Sequence, residues 1–158
     1  MPGVPTLLQP VAHALVDAVE DVQKVVPPLS AQEIAARPGG AAPIAYHVTH
    51  AIGSLDRLFT YARGESLTDV QMATLTAEKT LDPSRFSAQQ LAANFAAAVD
   101  RAHAQLRSTA ESDLLVTRLV GRAKLPSNTI GLLVHAAEHT ARHVGQIVTT
   151  ARIVRGAS

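Results

Sequence analysis

Seven histidines lie in this chain of 158 residues, and five of them fall in two short clusters. The C-terminal cluster reads HAAEHTARHVGQ, which spaces His135, His139 and His143 four residues apart. On a helix turning about 100° per residue, with Leu132 as origin, Ala136, His139, His143, Gln146, Ile147, Thr150 and Val154 share one narrow stripe, with His139 and His143 near its middle. A buried imidazole without a partner is costly, and two of them one turn apart share few ordinary acceptors, so a common cation satisfies both. Two histidines hold a metal only as part of a set, because catalytic zinc sites commonly take three protein ligands and keep one position open. The segment YHVTH offers the third as His47 or His50. Periodicity favours His47, which lies closer to the apolar face of its helix, while His50 sits further round toward Ser54 and Tyr61.

The chemistry expected of such a site is metal-assisted, because a water or thiol on the open position of a divalent ion loses its proton more readily. Proteolysis is disfavoured. The H-E-x-x-H pattern is missing, since Thr140 follows His139, and Glu138 points about 100° away from it. His135 falls on the flank of the stripe beside Arg142, as a supporting or solvent-facing residue, and Gln146, one turn beyond His143, is placed to orient a ligand or a water or to bond across the helices. His13 and His103 belong to no motif and read as ordinary helix residues, and Asp56 and Arg57 as a solvated helix edge, Arg57 with a lesser claim to meet an anionic substrate.

Four long amphipathic helices would position these groups. Leu8, Val11, Leu15, Val19, Val22 and Val26 follow helical spacing up to the Pro27-Pro28 stop. Ser30 and Glu33 have capping-box spacing for a short helix over 31–36, before the Pro38-Gly39-Gly40 loop. After Pro43, the residues Ile44, Val48, Ala51, Leu55, Leu58, Phe59 and Ala62 make the face of a second long helix that ends at Gly64. The stretch from Ser66 to Pro83 is weakly patterned, with a short helix at 68–77, and reads as a crossover able to cover a site. Ser87 and Gln90 repeat the capping spacing for a third long helix carrying Leu91, Phe95, Ala98, Ala102 and Leu106. Leu115, Thr117 and Leu119 alternate as a strand would, but no partner strand is evident and Gly121 interrupts, so 114–125 is assigned as irregular. Pro126 and Ser127 introduce a last helix from about Asn128 to Arg155. The fold class expected is all-α, an antiparallel four-helix bundle forming one domain over residues 1–158.

Composition excludes several functions. The hydrophobic share of 47% suffices for one core, and a net charge of +1 with 17% charged residues gives no basic face for a phosphate backbone, so no nucleic-acid partner is expected. There is no cysteine, hence no disulfide framework and no thiolate ligand or nucleophile, and thiol chemistry needs a thiol from outside. No stretch approaches the ~18 apolar residues of a membrane span and the N-terminus lacks a secretory pattern, so no membrane partner and a cytoplasmic location are expected.

Taken together, AYHVTHAIGSLDRLFTYARGE and the later HAAEHTARHVGQI resemble the DinB-like (DinB/YfiT) superfamily of metal-binding four-helix bundles, over nearly the whole chain. The resemblance implies one histidine on the second long helix and an H-x-x-x-H pair on the last helix, before a Gly-Gln pair, here Gly145-Gln146. It assigns His50, His139 and His143 as ligands of a divalent transition metal, zinc or nickel, and it selects His50 because that residue directly precedes AIGSLDR. His47 then packs or hydrogen-bonds nearby. The family further implies a thiol S-transferase acting on a small-molecule substrate with a low-molecular-weight thiol, in which the open position binds the thiolate. The alternatives are a metal-dependent hydrolase and a non-catalytic metal-binding stress or accessory protein. A homodimer is a further implication, with Ala92, Ala93, Ala96 and Ala97 as small residues for close packing.

Overall fold

Local chemistry starts and stops most of the elements. In the computed structural model, which describes residues 1–156, helix α1 runs Gln9–Val25 after a single 3-10 turn at Thr6–Leu8, and the prolines at 27 and 28 follow it. The short α2, Ala31–Ala35, carries the full capping box: Glu33 N–H donates to Ser30 Oγ and Ser30 N–H donates to the Glu33 carboxylate. Helix α3, Ile44–Ala62, begins directly after Pro43. Thr68 and Gln71 form a second full box for α4, Asp69–Ala77, which is followed by a 3-10 turn at Glu78–Thr80. Helix α5, Ala88–Ser108, is capped by Ser87, but the side chain of Gln90 donates to Asn94 and not back to the cap, so only half of the expected box is made.

The four long helices are α1, α3, α5 and α6, the last running Thr129–Gly156. α1 packs on α5 and α6, and α3 packs on the same two. Phe95, Leu15, Leu91, Leu106, Leu133 and Ile147 are among the fully buried side chains that fill the space between them. Among the described residues, no helix is long and apolar enough to cross a membrane.

The segment assigned as irregular is a β-hairpin, which corrects the purely helical expectation. β1, Thr117–Val120, pairs antiparallel with β2, Leu125–Asn128, in the register Thr117 with Asn128 and Val120 with Leu125. Gly121 does not interrupt this unit. It opens the turn at φ +68°, a conformation that costs a side-chain-bearing residue and suits glycine. β2 contains Pro126, which supplies no N–H, and this is tolerated because a two-stranded sheet has only edge strands. The hairpin is tied to α3 by Arg118 Nε–H, which donates to the Ala62 carbonyl at 2.8 Å, and the first residue of α6 adds Thr129 Oγ–H on the same carbonyl at 3.4 Å. Both bonds satisfy an acceptor left open at the C-terminus of α3.

Phe95 sits at the centre of this packing with no exposed surface. Phe95→Ala should lower unfolding free energy by about 3–5 kcal/mol through lost transfer energy and a cavity. Urea denaturation checks this, and a loss under about 1 kcal/mol would place the core elsewhere.

Candidate metal centre

α3 and α6 face each other along much of their length, and the histidines meet at this seam. His50 Nε2 lies 3.0 Å from His139 Nε2, and one ligating atom each from His50, His139 and His143 fall within 4.8 Å of one another. His47 is the more buried member of its pair, and its Nδ1 lies 3.0 Å from Nδ1 of His143. The rings of His139 and His143 are 4.6 Å apart between centroids, as an i, i+4 pair on one helix allows. The structure thus brings together the three residues that the family resemblance selects, with His47 packed behind them. Helical periodicity alone favoured His47, because it is the more apolar position.

Two expectations for α6 are displaced. Its buried face is built by Thr129, Leu132, Leu133, Ala136, Ala137, Thr140, Val144, Ile147, Thr150 and Ala151, of which Ala136, Ile147 and Thr150 belong to the expected stripe. The centre of that face lies roughly 60° from His143 and 100° from His139, taking 100° per residue. The pair is therefore at the edge of the core and half-buried, where an ion can reach it from solvent. Gln146 falls further out, is exposed, and makes no hydrogen bond to the histidines. His135 is exposed as well, 5.9 Å from the His139 ring between centroids. His103 is buried against the Ala12 carbonyl, remote from the cluster.

Glu78 was not foreseen. It comes from the 3-10 turn after α4, in the crossover, and only 5% of it is exposed. Its Oε2 accepts from His50 Nδ1–H at 2.7 Å, and Arg57 grips both oxygens, at 2.7 Å and 3.3 Å. Arg57, expected on a solvated edge, is buried beneath the crossover. A carboxylate taken out of water is tolerable only when paired and hydrogen-bonded, and here a guanidinium and an imidazole N–H provide both. Gly53, between the two α3 residues, leaves the space: a Cβ there would collide with Glu78 Oε1 and Arg57 Nη1. Nothing in the sequence around Glu78 is periodic, and its partners lie 21 and 28 positions earlier.

The electrostatics keep the cluster ready for a cation. An ionised carboxylate is purely an acceptor, so Glu78 fixes the proton of His50 on Nδ1 and leaves the Nε2 lone pair facing His139. Burial, reinforced by the positive potential of His50 and its other neighbours, lowers the His143 pKa to about 4 from an ordinary 6.5. Burial likewise lowers the pKa of His47 and of His139. Neutral imidazoles are the ligating form. Two nitrogens on one tetrahedral zinc stand about 3.3 Å apart, close to the separation of the His50 and His139 Nε2 atoms. The donor set therefore fits a divalent transition metal.

For the metal-free protein the depressed values have a definite sign. The unfolded chain takes up a proton on His143 below about 6.5 while the folded chain resists until about 4, and His47 and His139 shift in the same direction, so the unfolded state binds more protons in that interval and stability falls with falling pH. Melting of chelator-treated protein should show a level Tm above about pH 6.5 and a decline toward pH 4. A Tm that stays level throughout would contradict the burial argument.

The fold has counterparts among known proteins. The crystal structure of a conserved protein from Enterococcus faecalis is similar in fold, with a TM-score of 0.69 and 21% identity, covering 94% of this chain and 97% of that one. No curated protein matches the chain. The DinB superfamily matches residues 14–147, a stretch that spans α3, Glu78 and the His139–His143 pair of α6, and the chain therefore belongs to the DinB superfamily.

Proposed function

We propose that this protein is a metal-dependent enzyme of the thiol S-transferase type, with His50, His139 and His143 as ligands of one divalent ion, zinc or nickel. The observation that carries the reading is the convergence of three half-exposed imidazoles that the chain itself leaves without a fourth, sulfur-bearing partner. We read the packed long helices as an antiparallel four-helix bundle, the arrangement that lets α3 and α6 each contribute ligands to one seam.

A divalent ion bound there supplies Lewis acidity, so that a thiol brought to it gives up its proton near neutral pH. The protein residues do the rest. His50 is oriented by Glu78, and Glu78 by Arg57, so the first imidazole cannot turn without breaking a buried ion pair. His47 meets His143 through a single nitrogen contact of 3.0 Å between their Nδ1 atoms. The small-molecule acceptor and the low-molecular-weight thiol both come from outside, and a cytoplasm holding reduced thiols is the setting that suits this chemistry. Hydrolysis by a carboxylate base is less well supported, because both oxygens of Glu78 are already engaged and Glu138 is exposed on the far side of His139. A homodimer remains part of the proposal, but of the four alanines that suggested it Ala92 is buried inside its own chain, leaving Ala93 and Ala97 exposed for contact.

Elemental analysis of untagged protein tests the ligand set. One metal per chain is expected for the parent, lost in His50→Ala and His139→Ala and kept in His47→Ala, since three ligands of one ion act together. Full occupancy in His139→Ala would refute the assignment. Glu78→Gln should keep the stoichiometry but weaken zinc binding about 10- to 100-fold in a competition titration, because an amide orients His50 poorly and strands Arg57. Unchanged affinity would show that Glu78 serves the fold alone. For the thiol, Co(II)-loaded protein should gain a thiolate-to-metal absorption band on addition of glutathione; with no cysteine in the chain, the sulfur in any such band is the added one. Absence of a band would remove the thiol step and leave metal binding standing.

A further inference from the structure

Thr49, next to His50 on α3, carries a hydroxyl buried from solvent with no hydrogen-bond partner. Other threonines on helices here donate back to the carbonyl four residues earlier: Thr60 to Asp56, Thr74 to Val70, Thr76 to Met72 and Thr140 to Ala136. Thr49 does not take that outlet, and an unmatched buried hydroxyl costs about 1–3 kcal/mol. It lines a cavity of about 430 Å³ between α3 and the crossover, a size typical of small-molecule sites. The apolar part of the wall comes from Ala77, Leu81 and Phe86. Glu78 also lines it, so this cavity and the histidine cluster share one residue.

The charges on the wall decide the class of ligand. Glu78 is matched by Arg57 and His50, and Asp82 and Arg85 face each other at 3.6 Å. Each charge on the lining thus has a partner of opposite sign, the buried Glu78 inside and the solvent-exposed Asp82–Arg85 pair at the rim, so the wall carries no net charge to favour an ion. We infer that this cavity is a binding compartment for an uncharged organic molecule with a compact apolar body and one hydroxyl or carbonyl group, which the Thr49 hydroxyl receives. That the molecule is the acceptor substrate of the metal centre rests on the function proposed above; that the compartment binds it does not. A molecule seated here lies against Glu78, the residue that orients His50, which places it beside the proposed centre on the crossover side.

Benzyl alcohol, toluene and benzoate are suitable probes, followed by amide chemical shifts in the chelator-treated protein. Benzyl alcohol should give saturable shifts at Thr49, Thr74 and Ala77 at millimolar concentration, toluene weaker ones and benzoate none. Thr49→Val should weaken benzyl alcohol about three- to tenfold and leave toluene unchanged, as loss of a single hydrogen bond requires. Ala77→Phe, which fills the cavity from an exposed helix position, should abolish binding of both. Shifts that do not saturate, benzoate binding as tightly as the alcohol, or a Thr49→Val variant that loses nothing would each overturn the inference. A zinc titration of the same samples separates the two readings. Probe binding in a chain that takes no zinc upholds the compartment and removes the metal enzyme, whereas zinc binding without any probe shift overturns the compartment alone.

Discussion

The Glu78 carboxylate, held between Arg57 and His50, is the contact on which the rest of the site depends. A buried anion is unstable unless its partners are fixed, and both partners belong to α3, about two turns apart from each other along the helix. The anion itself arrives from the crossover, whose helix α4 has no buried residue of its own. The crossover is therefore attached to the bundle at this place largely by polar chemistry, and the same bonds decide which nitrogen of His50 faces α6.

From that contact the order of dependence runs outward. α3 must lie against α6 for His50 to meet His139 and for His47 to meet His143, and the core around Phe95 and Ile147 holds the helices in that relation. The histidines stay at the edge of the core. This position buries His139 and His143 enough to lower their pKa values and exposes them enough to admit an ion, a compromise that a site in the centre of the core would not allow.

The sequence makes legible whatever is local or periodic. The capping pair Ser30 and Glu33, the proline stops and the long helices all appear where spacing places them, because the forces that form them act within a few residues. The hairpin was hidden because its second strand contains Pro126 and abuts α6, so it reads as the start of a helix. The core face of α6 was misplaced because small residues, Ala137, Thr140 and Ala151, define it, and the larger histidines drew the stripe toward themselves. Periodicity favoured His47, while the family resemblance selected His50, and the geometry groups His50 with His139 and His143. Glu78 and Arg57 were out of reach, since a lone acidic residue in a polar stretch carries no sign that a distant arginine will bury it.

Gly53 shows what this design costs the helix that bears it. Glycine in a helix interior gives up about 0.5–1 kcal/mol relative to alanine, and replacing it is among the routine ways to raise thermal stability. In α3 that improvement is closed off, because the missing methyl group is the volume that the Glu78–Arg57 pair fills. The helix is left weaker than its sequence could make it at the position beside His50. Attempts to harden this protein for use at high temperature therefore belong on α1 and α5, away from the residue where stability and site geometry draw on the same few cubic ångströms.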